Sequence, residues 1–302
     1  MGLIRKEDLH DSLLNSLSNS NLLINGDFQI NQRDKTNYTN GYTIDRWMLS
    51  SDANLQLDVL DKGVRVTTKS IGTWNNFCTK FDFRDFKHLL GKTLTLTFKL
   101  LTPTTKINQI WGMCRHTENE HFYFSYDLDA NNFYKDGPIS IISKTFTIDQ
   151  IYSDGYIEFG IQIKTDVGNS IEIEWAKLEI GDHLTPFVPR PYAEELALCQ
   201  RYYECSNHIV RGLISSDLTR LNLDIKYNQR KRISPSIKFY GVRNEEGTVC
   251  GKIESEINFP SHANTFDVDG FGCIDIIDKK GQSFVTGELF QIFAWEADAE
   301  IY

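Results

Sequence analysis

The stretch 21–33 reads NLLINGDFQINQR. Leu22–Ile24 is a short apolar run. Asn25-Gly26-Asp27 is a turn signal, because Asn-Gly readily takes positive φ. Phe28 and Ile30 then alternate with Gln29 and Asn31, the pattern of a half-buried strand. The stretch therefore predicts that a β domain opens here. Just upstream, Leu9, Leu13, Leu14 and Leu17 share one helical face. A helix of about 12 residues is marginal in water by itself, so it must bury Leu9, Leu13 and Leu17 on something. We read residues 1–20 as an oligomerising or docking helix and expect a homotrimer.

Downstream, strand patterns recur: ANLQLDVL, GVRVTTK, KTLTLTFKL, HFYFSYDL, SIISKTFTI, GYIEFGIQIK and NSIEIEWAKLEI. In KTLTLTFKL, Leu94, Leu96, Phe98 and Leu100 face one way. Strands of this length between turns predict an antiparallel sandwich or barrel over 21–185. Pro186, Pro189 and Pro191 then mark a stiff extended linker. A helix follows, with Pro191 at its start, Glu194 and Glu195 in its first turn and Leu196, Cys199 and Tyr203 on one face. Further strands, TRLNLDIKYN, SPSIKFYG, GTVCGKIE, GCIDIID and LFQIFAWEADAEIY, give 186–302 a linker, a helix and a small C-terminal β domain. The fold class is all-β, a sandwich or barrel followed by a second β domain, and the resemblance described below implies a jelly roll.

The formal net charge of −9 argues against a broad grip on nucleic acid or anionic lipid, which needs clustered Lys and Arg. No window approaches a membrane-spanning length of about 18 apolar residues, so no membrane insertion is expected. The six cysteines include no CxxC pair and read as isolated, mostly buried thiols of a reducing compartment.

NLLINGDFQINQR followed by Asp45-Arg46-Trp47 resembles the opening of a jelly-roll domain common in bacteriophage and prophage tail proteins. WAKLEIGDHLTPFVPRPYAEELALCQRYYE is similar to the closing strand, proline segment and helix of the same proteins. YNQRKRISPSIKFYG and FAWEADAEIY look like the small domain that follows. The resemblance covers most of the chain and is strongest at 21–47 and 172–205; the NGDF opening also resembles jelly-roll carbohydrate-binding modules. It implies a virion structural protein, a tail fibre, receptor-binding or accessory baseplate component assembled in the bacterial cytoplasm. Such proteins are usually trimers, join other tail proteins and often contact host cell-surface glycan. The alternatives are a carbohydrate-binding module of a polysaccharide-degrading system and a glycan-cleaving enzyme.

Catalytic patterns are missing: there is no GxSxG and no HExxH. DLDANNFYKDGP starts like a calcium loop with Asp127, Asp129 and Asn131, but Asn132 and Pro138 stand where Gly and Glu belong. His116, Glu118, Glu120 and His121 read as a charged hairpin rather than a metal site. Glu172/Glu174, Asp127/Asp129 and Asp267/Asp269 are carboxylate pairs at a spacing glycosidases can use, yet Glu172 and Glu174 read as the solvated face of a strand. Arg230-Lys231-Arg232 reads as a solvated strand end. We expect no enzyme activity, no cofactor and no metal. The candidate glycan-binding residues are aromatic: Trp74 and Trp111, beside Gly and Asn, with Tyr123 and Tyr126 extending the surface. Indole and phenol faces stack on sugar C–H groups, and neighbouring amides serve the hydroxyls.

Overall fold

The computed structural model describes residues 18–117, 119–131, 133–206, 210–214, 220–244, 269–275 and 289–302. Leu9, Leu13 and Leu17, together with GTVCGKIE, lie outside the described residues. The chain divides into two compact units, the first ending at Glu195 and the second beginning at Leu196.

The first unit is a jelly-roll sandwich of two antiparallel six-stranded sheets. One runs β1 (Asn37–Tyr38), β4 (Leu55–Val59), β5 (Val64–Thr68), β12 (Ser170–Ile180), β7 (Thr93–Thr104), β10 (Ile139–Thr147). The other runs β2 (Gly41–Tyr42), β3 (Trp47–Ser51), β6 (Asn75–Asp82), β11 (Tyr156–Ile163), β8 (Ile107–His116), β9 (Asn119–Asp127). Leu94, Leu96, Phe98 and Leu100 are buried along β7, as their alternation requires. Across the core, Trp47 stacks on Phe77 at 4.8 Å and meets Phe28 edge-on at 5.3 Å. Rings in such pairs add about 0.5–1.5 kcal/mol beyond their burial.

The opening stretch corrects our expectation. Residues 28–31 are not a strand; residues 24–27 turn, and the chain continues as buried coil. Asn25 (φ +56°) and Phe28 (φ +63°) both sit in the left-handed region. The cause is the Asn25 side chain, which has no exposure to solvent. Its Oδ1 accepts from Ile30 N at 2.9 Å, and its Nδ2 donates to Ile30 O at 2.8 Å and Asp45 O at 2.9 Å. Its backbone O accepts from Trp47 Nε1 at 2.9 Å. An amide side chain thus supplies the partners that a neighbouring strand would have given Ile30.

Asn21 does the same for β12. Its Nδ2 donates to Ala176 O at 2.9 Å and its Oδ1 accepts from Leu178 N at 3.0 Å. Gly26 passes so close that an added Cβ would lie 2.5 Å from Ala176 O. Asp45, Arg46 and Trp47 are all fully buried. Asp45 accepts from Gln32 N at 2.7 Å and Gln32 Nε2 at 2.6 Å, while burial pushes its carboxyl above the usual range.

Residues 186–190 carry no regular structure, and they group with the first unit. Arg190 Nη1 donates to Leu23 O at 3.0 Å and to Glu195 Oε2 at 2.9 Å, and Arg190 Nη2 also donates to Asn21 O. Glu195 accepts from Asn25 N. Glu195 is almost wholly buried, and Arg190 is its counter-ion. This pair fastens the proline segment to residues 21–25.

The helix Tyr192–Gln200 ends before Tyr203, which opens β13 (Tyr203–Ser206) rather than continuing the helical face. In the second unit, β13, β14 (Val210–Ile214), β15 (Arg220–Lys226), β16 (Ser236–Asn244), β17 (Gly270–Asp275) and β18 (Leu289–Asp298) form an antiparallel sheet around β18. Arg230-Lys231-Arg232 is not a uniform solvated run. Arg230 is exposed, Lys231 is buried on Glu204 and on Gln200 O at 2.7 Å, and Arg232 Nε donates to Ala299 O at 3.1 Å. Burial lowers the Lys231 ammonium below its usual range, with Glu204 opposing.

Candidate functional site

The register of the β11 sheet lays its outer face out in rows. Met48, Cys78, Gly160, Trp111 and Ser125 lie side by side across β3, β6, β11, β8 and β9. On one side of this row stand Lys80, Glu158, Met113 and Phe122. On the other stand Ser50, Asn76, Gln162, Gln109 and Asp127. Residues alternate between faces along a strand, so these belong to the face turned away from Trp47 and Phe77.

The middle of this face is packed. Cys78, Trp111 and Met113 form their own buried cluster, with Met48 against it. The indole lies over Gly160, where an added Cβ would sit 2.3 Å from its ring atoms. Any side chain there would lift the ring, so the glycine is what lets Trp111 lie flat. Glu158 is buried beside it, where the neighbouring Cys78 thiol and Trp111 indole favour its charged form. Burial pushes the Glu158 carboxyl above the usual range, and Lys80 pulls it back. Burial and Glu158 together hold the Cys78 thiol well above the usual range. Lys80 caps the Tyr156 ring at 4.7 Å. Amides and hydroxyls ring the cluster: Asn108 Nδ2 donates to Gln162 Oε1 at 2.6 Å, and Ser125 Oγ to Gln109 Oε1 at 2.8 Å.

The four aromatic candidates separate. Trp111 is only 4% exposed. Trp74 is 46% exposed and precedes β6 in phase with Asn76 and Cys78, at one end of the face. Tyr123 sits at a bulge in β9 and stacks on Phe146 at 5.9 Å, with its hydroxyl donating to Gln150 O at 2.8 Å. Tyr126 stands opposite the core residue Ile110 and meets Phe133 edge-on at 6.1 Å. The two tyrosines therefore seal the sandwich side and do not extend a surface shared with the tryptophans.

The carboxylate candidates are engaged in pairs. Glu172 accepts from Arg65 Nη2 at 2.6 Å and Thr102 Oγ1 at 2.8 Å, and Glu174 meets Lys62 at 2.6 Å. Asp127 Oδ1 accepts from Ala130 N at 2.7 Å, and Asp129 meets Lys164 at 2.7 Å. Glu120 meets Arg115 at 2.6 Å and His121 meets Asp149 at 2.8 Å, while Glu118 and Asp267 lie outside the described residues. Among the described residues no group of three His, Cys, Asp or Glu could hold a metal ion. Among them, too, no helix is long and apolar enough to cross a membrane. Sequence reasoning missed Glu158 and Cys78. The signal for Glu158 was a carboxylate two residues before a glycine in GYIEFGIQIK; Cys78, in NNFCTKFD, carried none.

No family model and no curated protein matches the chain. Several solved structures are similar over about half of it. An arabinose-bound α-L-arabinofuranosidase, MgGH51, aligns at 13% identity and TM-score 0.32, covering 54% of this chain and 27% of the other. A xylan-binding domain from CBM 22 aligns at 12% identity and TM-score 0.31, covering 47% and 93%. The enzymatically active domain of bacteriophage CBA120 tailspike protein 4 aligns at 11% identity and TM-score 0.28, covering 53% and 21%. This chain thus spans about a quarter of the first and a fifth of the third.

Proposed function

We propose that this chain is a non-catalytic binding protein whose sandwich recognises carbohydrate, in the setting of a phage tail appendage. The observation that carries the binding reading is Trp74, an indole held in the open at the end of a sheet face. Farther across the same sheet, the half-buried Gln109 on β8 and the exposed Ser125 on β9 carry amide and hydroxyl groups of the kind sugars require. The tail setting rests on the sequence resemblance at 21–47 and 172–205, and so does the expectation of a homotrimer. Partners of this reading are other tail proteins and a host-surface glycan.

A single sugar site binds weakly, about millimolar, because hydroxyls exchange well with water and only stacking and apolar contact give a net gain. Several copies on one particle would raise avidity by roughly 10²–10⁴. The test pairs melting with adhesion to host cells or to immobilised cell-wall polysaccharide. Trp74→Ala is expected to stay folded and lose adhesion. Trp111→Ala is expected to melt early, since truncating a buried Trp costs about 3–5 kcal/mol. A folded Trp74→Ala protein that still adheres overturns the reading. Release of reducing ends from the polysaccharide overturns its non-catalytic part.

A further inference from the structure

Trp74 ends a loop that the structure holds unusually firmly for one so exposed. The loop Ser70–Trp74 is zipped to residues 51–54. Asp52 Oδ1 accepts from Thr73 N at 2.9 Å and Trp74 N at 3.2 Å, and Asp52 Oδ2 accepts from Thr73 Oγ1 at 2.5 Å. Ser51 Oγ donates to Trp74 O at 2.7 Å, and Asn54 N donates to Ser70 Oγ at 2.9 Å. Gly72 lies so close that an added Cβ would meet Asp52 Oδ1 at 2.4 Å and Ala53 Cβ at 2.5 Å. Only glycine lets the loop close on the carboxylate.

The loop spends this rigidity on presenting apolar groups to water. Ile71 is 81% exposed, the most exposed large apolar side chain among the described residues. It stands three residues before Trp74, so the two Cα atoms lie within about 11 Å, the reach of one or two sugar rings. Val167 is also exposed, in a neighbouring loop whose Gly168 N donates to Thr68 O at 2.9 Å. Ser70–Trp74 contains no Lys or Arg, and the Asp52 oxygens are taken up by the loop's own donors. Ile71 and Trp74 are therefore the large exposed groups of the loop itself, with the exposed Lys69 at its border.

We infer that Ser70–Trp74 is a preformed subsite for a sugar carrying a methyl group, with Trp74 under the ring face and Ile71 against the methyl. Two sugar classes supply that chemistry, 6-deoxyhexoses and N-acetylhexosamines. Asp52 is the positioning residue: with the loop already ordered, binding avoids the ordering cost that a mobile loop would incur. This inference rests on the glycan-binding reading of Trp74.

The experiment is calorimetric titration of the full chain with three oligosaccharides of equal length: one of L-rhamnose, one of N-acetylglucosamine and one of glucose. At least one methyl-bearing probe is expected to bind roughly four-fold more tightly than the glucose probe, the gain from burying one methyl. Ile71→Ser is expected to bring that ratio to about one. Asp52→Ala is expected to weaken the preferred probe with no change in melting, and Asp52→Asn, which keeps one acceptor oxygen, to restore part of it. Equal binding of all three probes, or an Ile71→Ser ratio unchanged from the parent, overturns the methyl-sugar assignment alone. Unchanged affinity in Asp52→Ala overturns the positioning role. Trp74→Ala separates the two levels: if it binds every probe as the parent does, the glycan-binding reading falls as well. If no probe binds the parent at about 10 mM, weaker than any useful sugar site, both fall.

Discussion

Two regions of the first unit bury polar side chains, and they do so in opposite ways. Around Asn25, side chains speak to backbone: Asn25 serves Ile30 and Asp45, Asn21 serves Ala176 and Leu178, and Arg190 serves Leu23. On the outer face of the β11 sheet, side chains speak to one another: Glu158 is answered by Cys78, Trp111 and Lys80. The first arrangement substitutes for missing ladder bonds, so removing any member orphans a main-chain group that has nowhere to go. The second leaves the ladder intact and lies on a sheet whose backbone is already satisfied. Its polar member Glu158 can lose its charge without orphaning a main-chain group. Polar burial of the first kind marks architecture, whereas polar burial of the second kind marks a surface free to be adapted for binding.

The contrast breaks or sharpens on measured stability, and the largest effect belongs at Asn25. Asn25→Ala strands Ile30 N and Asp45 O and leaves Ile30 O only the longer bond from Asp45 N at 3.4 Å; at about 1–3 kcal/mol per stranded group, a loss of about 3–6 kcal/mol in urea unfolding is expected. A loss under about 1 kcal/mol would erase the distinction. Glu195→Ala comes next. It leaves the Arg190 cation and Asn25 N without their carboxylate, and breaking a buried pair in this way costs about 3–5 kcal/mol.

Glu158→Gln should be far milder, within about 1 kcal/mol at neutral pH, because an amide can still accept from Trp111 and a neutral group is easier to bury. Its pH dependence carries a definite sign. The folded protein raises the Glu158 carboxyl above its unfolded value, so the group's stabilising contribution is present at acid pH and is lost as pH rises through the folded value. The parent should therefore lose stability relative to Glu158→Gln between acid and neutral pH, read as a difference in melting temperature. A flat difference would mean that Lys80 fully offsets the burial. The smallest effect is expected at Trp74→Ala, within about 0.5 kcal/mol for an exposed site.

How far the sequence could be read follows from the same contrast. Where polar residues alternate with apolar ones, the pattern speaks clearly even when both faces are covered: Leu94, Leu96, Phe98 and Leu100 on β7 were legible although Thr95 and Thr97 between them are also buried. The helix after Pro191 was legible too, from its proline and its two glutamates. Phe28 and Ile30 misled because both are buried for reasons unrelated to a ladder; Asn25 had already taken the role of the neighbouring strand. Trp111 and Glu158 were obscured because the β11 sheet is buried on both faces at its centre, which removes the polar half of the alternation. Lys231 was hidden between two arginines, since a run of charge reads as solvated until Glu204 is brought to it from 27 positions away. The rigidity of the Trp74 loop depends on Asp52, 21 positions before Thr73, and no local pattern announces it.

The ties between residues 21–25 and the far end of the unit also set a timetable for synthesis. Asn21 waits for Ala176 and Leu178, separated by 155 and 157 positions, and Asn25 N waits for Glu195 at a separation of 170. A segment made early is thus among the last to be locked. Closing so long a loop costs little more than closing one of half the length, since the entropy grows only with the logarithm of length. The delay is therefore one of order rather than of energy. Until Glu195 has emerged, Asn25 N lacks the carboxylate it donates to, whereas the Phe28–Trp47 contact, 19 positions apart, can form long before.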